Sequence, residues 1–229
     1  MNKLSWLLLM LSFNALAYTK IPLMSGKVYA PQGYDTNDSV EVVVSGRLPD
    51  MCHRNPSFEV NKTGNHFKIT LFAYYVPDIQ GCKQISVPYS EVVNLGMLDK
   101  GDYQVSLQGV SNTDKPAKLK IIEATSSLID DFKYGNVMGI KEDEAGRGIE
   151  LVGTNPVSCL KFESMETIIQ NNVIVFKPHF KEEGECKEDP TPFAIRYEVP
   201  YLENSPRGVL LHVRVMNGRS YNYLYRNKL

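Results

Sequence analysis

The chain has 229 residues, 25 Lys+Arg against 26 Asp+Glu, 43% hydrophobic residues and 22% charged. These values exclude collagen-like and disordered classes. A formal net charge of -1 offers no electrostatic pull toward nucleic acid or an anionic membrane.

The first seventeen residues read as a cleaved, Sec-type signal peptide. Met1-Asn2-Lys3 is a short positive start, residues 4–13 are apolar, and Ala15-Leu16-Ala17 supplies the small residues at a cleavage site after Ala17. The apolar run is about ten residues, too short to cross a bilayer core of about 30 Å. No later stretch approaches 18 apolar residues, so the expected product is an exported, not membrane-spanning protein of the periplasm or the medium. The brevity of the signal points to a bacterial exporter. The single tryptophan, Trp6, lies in this segment, so the mature protein is expected to contain none.

The segments that follow read as short strands. In the first half they are 40–44, 57–60, 67–75, 91–95, 102–107 and 119–124, with Lys62-Thr63-Gly64-Asn65 as a hairpin turn between two of them. Residues 126–134 form the one doubtful stretch, where Leu128-Ile129-Asp130-Asp131-Phe132 suits a helical turn in a linker. In the second half the strands are 149–152, 172–177, 193–199, 209–215 and 221–225. Gly, Pro, Asn and Asp punctuate both halves at sandwich-like intervals. The reading is all-β: two tandem antiparallel β-sandwich domains, at 18–126 and 147–229, joined by a linker at 127–146.

The two halves share landmarks in one order. Gly46, Pro49 and Cys52 match Gly153, Pro156 and Cys159 in spacing. A second cysteine follows in each, Cys82 and Cys186, with proline at +6 and an aromatic at +7 (Pro88-Tyr89 and Pro192-Phe193). Each half then ends in a β-rich run and a glycine. A tandem duplication explains the match. Four cysteines in an exported chain favour two disulfides over metal ligands, with three connectivities open. The repeat selects Cys52–Cys82 and Cys159–Cys186.

The run Leu95-Gly96-Met97-Leu98-Asp99-Lys100-Gly101-Asp102-Tyr103-Gln104-Val105 resembles the Leu-x-x-Gly-x-Tyr-x-Val pattern of fibronectin type III and immunoglobulin-like domains. The resemblance implies an immunoglobulin-like fold in which Tyr103 packs at a corner and its hydroxyl caps nearby backbone. The whole chain is also similar to uncharacterised exported bacterial proteins with the same duplicated Gly-x-x-Pro-x-x-Cys layout. That similarity implies no activity.

Candidate chemistry is sparse. His53, His66, His179 and His212 fall in no metal-binding spacing, and no GxSxG, SxxK or phosphate-binding loop is present. Strand alternation in 209–215 puts His212 and Arg214 on the face opposite Val209, Leu211, Val213 and Val215. The pair is therefore expected to face solvent, where it could serve ligand recognition. Tyr221, Tyr223 and Tyr225 share one face of the last strand, either covering the second core or forming a recognition surface for a sugar or a peptide. Asp130-Asp131, Glu142-Asp143-Glu144 and Glu182-Glu183 with Glu185 read as solvated charge runs in polar sequence.

The functional expectation is an exported, non-catalytic binding or structural protein of the cell envelope, contacting an unknown protein or glycan. The binding surface would be drawn from Tyr221, Tyr223, Tyr225, His212 and Arg214. No catalytic residue, cofactor, metal or nucleic-acid partner is expected. The alternative is a secreted hydrolase or protease inhibitor with loop-borne residues, betrayed by a cleft joining His179 or His212 to a carboxylate and a serine.

Overall fold

The computed structural model describes residues 18–76, 81–109, 115–143, 148–200 and 208–225. The expected signal peptide and its cleavage site lie outside these residues. Every regular element described is a β-strand. Residues 126–133 hold bends and no helix: Asp131 accepts from the nearby Thr125 and Ser126 hydroxyls, and Asp130 ties the segment to the distant backbone of Asn217 and Gly218.

In the first half, β1 (Thr19–Pro22), β3 (Tyr34–Asp35), β5 (His53–Thr63), β6 (His66–Tyr75), β8 (Gly101–Leu107) and β9 (Ala117–Ile122) form a six-stranded sheet. Opposite it, β2 (Lys27–Tyr29), β4 (Val40–Leu48) and β7 (Val87–Gly96) form a three-stranded sheet in the order β2-β4-β7. In the second half, β10 (Val137–Glu142), β11 (Gly148–Asn155) and β14 (Thr191–Glu198) form one sheet. The other holds β12 (Leu160–Gln170), β13 (Val173–Glu182), β15 (Val209–Val215) and β16 (Arg219–Tyr225).

Most ladders are antiparallel, as expected, but the short β3–β9 ladder and the β6–β8 and β13–β15 ladders run parallel. In the latter two the cause is the crossing between layers. The chain leaves β6, runs back as β7 in the facing sheet and returns beside β6 in its original direction. The β13–β14–β15 path does the same. The hairpin turn is Gly64-Asn65, and Asn171-Asn172 takes the equivalent place between β12 and β13. Gly64 and Asn171 both have φ near +55°, a region that glycine and asparagine tolerate best.

Both disulfides form, Cys52–Cys82 with Cα atoms 5.4 Å apart and Cys159–Cys186 with 4.7 Å. The backbone around them is bonded alike. Met51 N donates to Lys83 O and Ser158 N to Lys187 O, while Val76 N donates to Cys52 O and Glu183 N to Cys159 O. The landmark glycines also have a structural cause. Gly46 pairs with Tyr89 across β4–β7, and Gly153 pairs with Phe193 across β11–β14. Each ring occupies the space a side chain would take: a Cβ on Gly46 would lie 2.6 Å from Tyr89 Oη, and one on Gly153 2.5 Å from Phe193 Cζ.

Tyr103 is buried and donates its hydroxyl to Asp99 O at 2.9 Å, the corner role implied by the Leu-x-x-Gly-x-Tyr pattern.

Alternation along the strands fills three apolar layers. Val40, Val42 and Val44 of β4 point into the first core with Ile69, Leu71 and Val105. Leu211, Val213 and Val215 of β15 point into the second with Phe176 and Leu151. The third layer lies between the halves, where Tyr29 and Val43 meet Val173, Val175 and Leu210. The four sheets therefore stack in series, with β2-β4-β7 against β12-β13-β15-β16 in the middle.

Candidate functional site

The expected solvent exposure of His212 and Arg214 is corrected by this stacking. All seven residues of β15 are buried, with His212 0% exposed and Arg214 5%. Alternation assigned the pair to the correct face, but that face is covered by the first half of the chain.

There the two side chains join a closed polar cluster. Arg214 donates to the Asp38 carboxylate, and its guanidinium lies over the rings of Tyr34 and Tyr134, 5.4 and 5.8 Å from the centroids. Asp38 also accepts from Asp35 N at 3.0 Å, which holds the β3–β4 turn. Asn222 donates its amide to Glu41 Oε1 at 2.6 Å, so its carbonyl oxygen faces His212 Nδ1 at 2.8 Å. His212 therefore carries its proton on Nδ1, and its Nε2 lies 3.4 Å from the Tyr34 hydroxyl, which donates to the Glu41 carbonyl at 3.2 Å. Burial holds the imidazole neutral by pushing its pKa down to about 4, against the pull of Glu41. Burial also raises the Tyr34 phenol well above its ordinary value.

His212, Glu41 and Ser220 have the residue types of a hydrolytic triad but not its geometry. Ser220 Oγ donates to the Glu41 carboxylate rather than to the imidazole, and the histidine is sealed from solvent. His179 stacks on Phe132 at 4.3 Å, with Glu166 at 3.6 Å.

The tyrosines of β16 line the second core. Tyr225 is fully buried, and Tyr221 and Tyr223 pack against the same cluster, with the Tyr223 hydroxyl donating to Glu142 at 2.7 Å. The acidic runs hold turns or pair with lysines. Asp130 accepts from Asn217 N and Gly218 N, Asp131 from Thr125 and Ser126, and Glu183 from Lys181. Asp50 lies beside Cys52 and Cys82, whose sulfurs are committed to the disulfide.

An open concavity lies elsewhere. A cavity of about 900 Å³ lies at the end of the first sandwich where β8 stops and β9 begins. Lys27, Lys68, Lys115, Lys118 and His66 line it from the first half, and Gln170, Asn171 and Asn172 from the β12–β13 turn of the second. His66 Nε2 lies 2.8 Å from Ser106 Oγ. None of the cavity's described lining residues is acidic. Lys68, Lys115 and Lys118 are exposed, and none makes an ion pair with a described residue.

Ladder positions relate this cavity to the junction. His66 and Lys68 pair with Gln104 and Ser106 as Val173 and Val175 pair with Leu210 and His212. Lys118 pairs with Gln104 as Leu224 pairs with Leu210. The sheet face that is apolar and covered in the second half is thus lysine-bearing and open in the first. Sequence reasoning missed it because these lysines are scattered over β2, β6 and β9 and meet only through the cross-layer topology.

Residues 42–115, about a third of the chain, match the family described as the ORF11 beta-sandwich domain, a stretch spanning most of β4 to the end of β8. The chain matches no curated protein and no solved structure.

Proposed function

We propose that this is an exported, non-catalytic binding or structural protein of the cell envelope, built by tandem duplication of one disulfide-stapled β-sandwich. The matching ladders, the matching backbone bonds around the two disulfides and the paired Gly–aromatic contacts support the duplication. The signal-like residues 1–17 and the two disulfides support export to an oxidising compartment.

One observation carries the binding reading. The apolar and ionic junction fixes the two sandwiches as one body, and that body keeps an open cavity to which both contribute. A rigid concave site with convergent polar groups is what a ligand-engaging scaffold needs. The partner is a protein or glycan of the envelope. Burial of His212 and the bonding of Ser220 to Glu41 weigh against the hydrolase reading.

The test is affinity capture from the envelope fraction, using mature protein with both disulfides formed. Retention of a defined protein or glycan, lost when the cavity lysines are reversed in charge, is expected. Retention of nothing above a denatured control would overturn the reading.

A further inference from the structure

We propose that the cavity at the junction is a binding site for an acidic saccharide, an oligosaccharide bearing carboxylate or sulfate groups. This deepens the binding reading above and rests on it.

The chemistry of the lining selects the ligand. Lys68, Lys115 and Lys118 present exposed ammonium groups, while Lys27 is half-buried with its Nζ 5.0 Å over the Tyr29 ring. Three exposed like charges around one concavity repel one another and attract an anion that can spread its charge among them. The cationic groups of the described lining are lysines, with no arginine. Lysine is a point charge with rotatable donors, suited to anions dispersed along a chain rather than to one planar bidentate group.

The remaining lining suits a sugar. Gln108, Gln170, Asn171 and Asn172 bring amides that both donate and accept, as hydroxyls require. Asn172 Nδ2 is buried without a hydrogen-bond partner. A buried donor left unpaired carries a desolvation cost that a ligand oxygen would relieve. Val28, Leu107 and Ala117 give apolar patches for the C–H faces of a sugar ring. The cavity, about 900 Å³, has room for a short oligosaccharide. No Phe, Tyr or Trp stands among the described lining residues, so the stacking platform that a single-stranded nucleic acid uses is missing from them.

The ladder correspondence adds an independent argument. The equivalent face in the second half holds an apolar layer, with Val173, Val175 and Leu224 where the first half has His66, Lys68 and Lys118. The same strand framework thus serves apolar docking in one copy and is charged in the other.

The experiment titrates the mature, disulfide-bonded chain by calorimetry with oligogalacturonate, a sulfated heparin oligosaccharide, inorganic phosphate and neutral dextran oligomers. At least one charged saccharide should bind, dextran should not, and affinity should fall roughly tenfold between about 50 and about 200 mM salt. The double variant Lys68→Glu/Lys118→Glu should lose at least about tenfold in affinity. Its unfolding midpoint should be unchanged, since both side chains are exposed. Failure of both charged saccharides to bind, equal binding of dextran or of phosphate alone, or an unaffected double variant would overturn the proposal. A double variant that still captures an envelope partner would sink this site and leave the binding reading standing. A wild-type chain that captures nothing would sink that reading itself.

Discussion

Arg214 and Asp38, 176 positions apart in sequence, form an ion pair buried between the two sandwiches. Removing one partner leaves an uncompensated charge in a dry layer, which costs about 3–5 kcal/mol. Arg214→Met alone should therefore destabilise the chain by that amount, while Arg214→Met with Asp38→Asn should recover much of the loss. Urea unfolding of the two single variants and the double variant measures this. Additive single effects would show that the pair does not couple.

The pH dependence of stability should bear the mark of His212. Its pKa is about 4 in the folded chain, against about 6.5 when unfolded, so the unfolded state takes up a proton that the native state refuses. The native advantage is complete above pH 6.5 and is lost as pH falls toward 4, by about 3 kcal/mol in all. His212→Gln removes this contribution. The variant's urea midpoint should fall less steeply between pH 6.5 and pH 4 than the parent's. Parallel slopes would show that His212 is not the group responsible.

Gly153→Ala should be more damaging than Gly46→Ala. At Gly153 an added Cβ would come within 2.2 Å of the Asn136 carbonyl oxygen, which the backbone cannot withdraw without breaking the β10–β11 ladder. At Gly46 the nearest atom is the Tyr89 hydroxyl at 2.6 Å, with the Ser25 carbonyl at 2.8 Å. About 1–3 kcal/mol is expected at Gly46 and the upper end or beyond at Gly153. Thermal unfolding of the two variants ranks them.

Cutting the chain in the linker should leave two sticky halves rather than two independent ones. Residues 18–126 alone would expose Tyr29 and Val43, and residues 135–229 would expose Val173, Val175, Leu210 and the ionised Arg214. Mixed after separate refolding, the halves should sediment as a one-to-one complex. Two stable monomers that ignore each other would contradict the junction.

Each disulfide closes a loop of about 30 residues, worth roughly 3–4 kcal/mol by chain entropy. Cys159→Ser with Cys186→Ser should lower stability by that order, read from the urea midpoint.

The strand pattern was readable wherever a run was apolar and β-branched, as in β4 and β15. The same runs carried an unread signal. In Val-Glu-Val-Val-Val and Val-Leu-Leu-His-Val-Arg-Val the face opposite the core carries Val43 and Leu210, apolar residues on a side that alternation alone gives to solvent. Alternation gives the face of His212 but not what lies over that face, so the pair was placed in solvent. Strand β12 escaped notice because its bulge between Phe162 and Ser164 breaks the period and its residues alternate with charges along a sheet edge. Strands β1 to β3 are only two to four residues long and are held by their neighbours rather than by their own composition. The cysteine pairing was readable because the landmark spacings record a shared architecture.

The two sandwiches meet through unlike faces, the back of a three-stranded sheet against the back of a four-stranded one. Contacts of that head-to-tail kind need not close on themselves, and where the rotation between copies does not bring them round to a ring they add copies without limit. Here the next position in the series is the back of the six-stranded sheet, where Lys68 and Lys118 stand in place of Val175 and Leu224. An apolar surface there would offer every molecule a seat for another, and two exposed ammonium groups oppose such a contact.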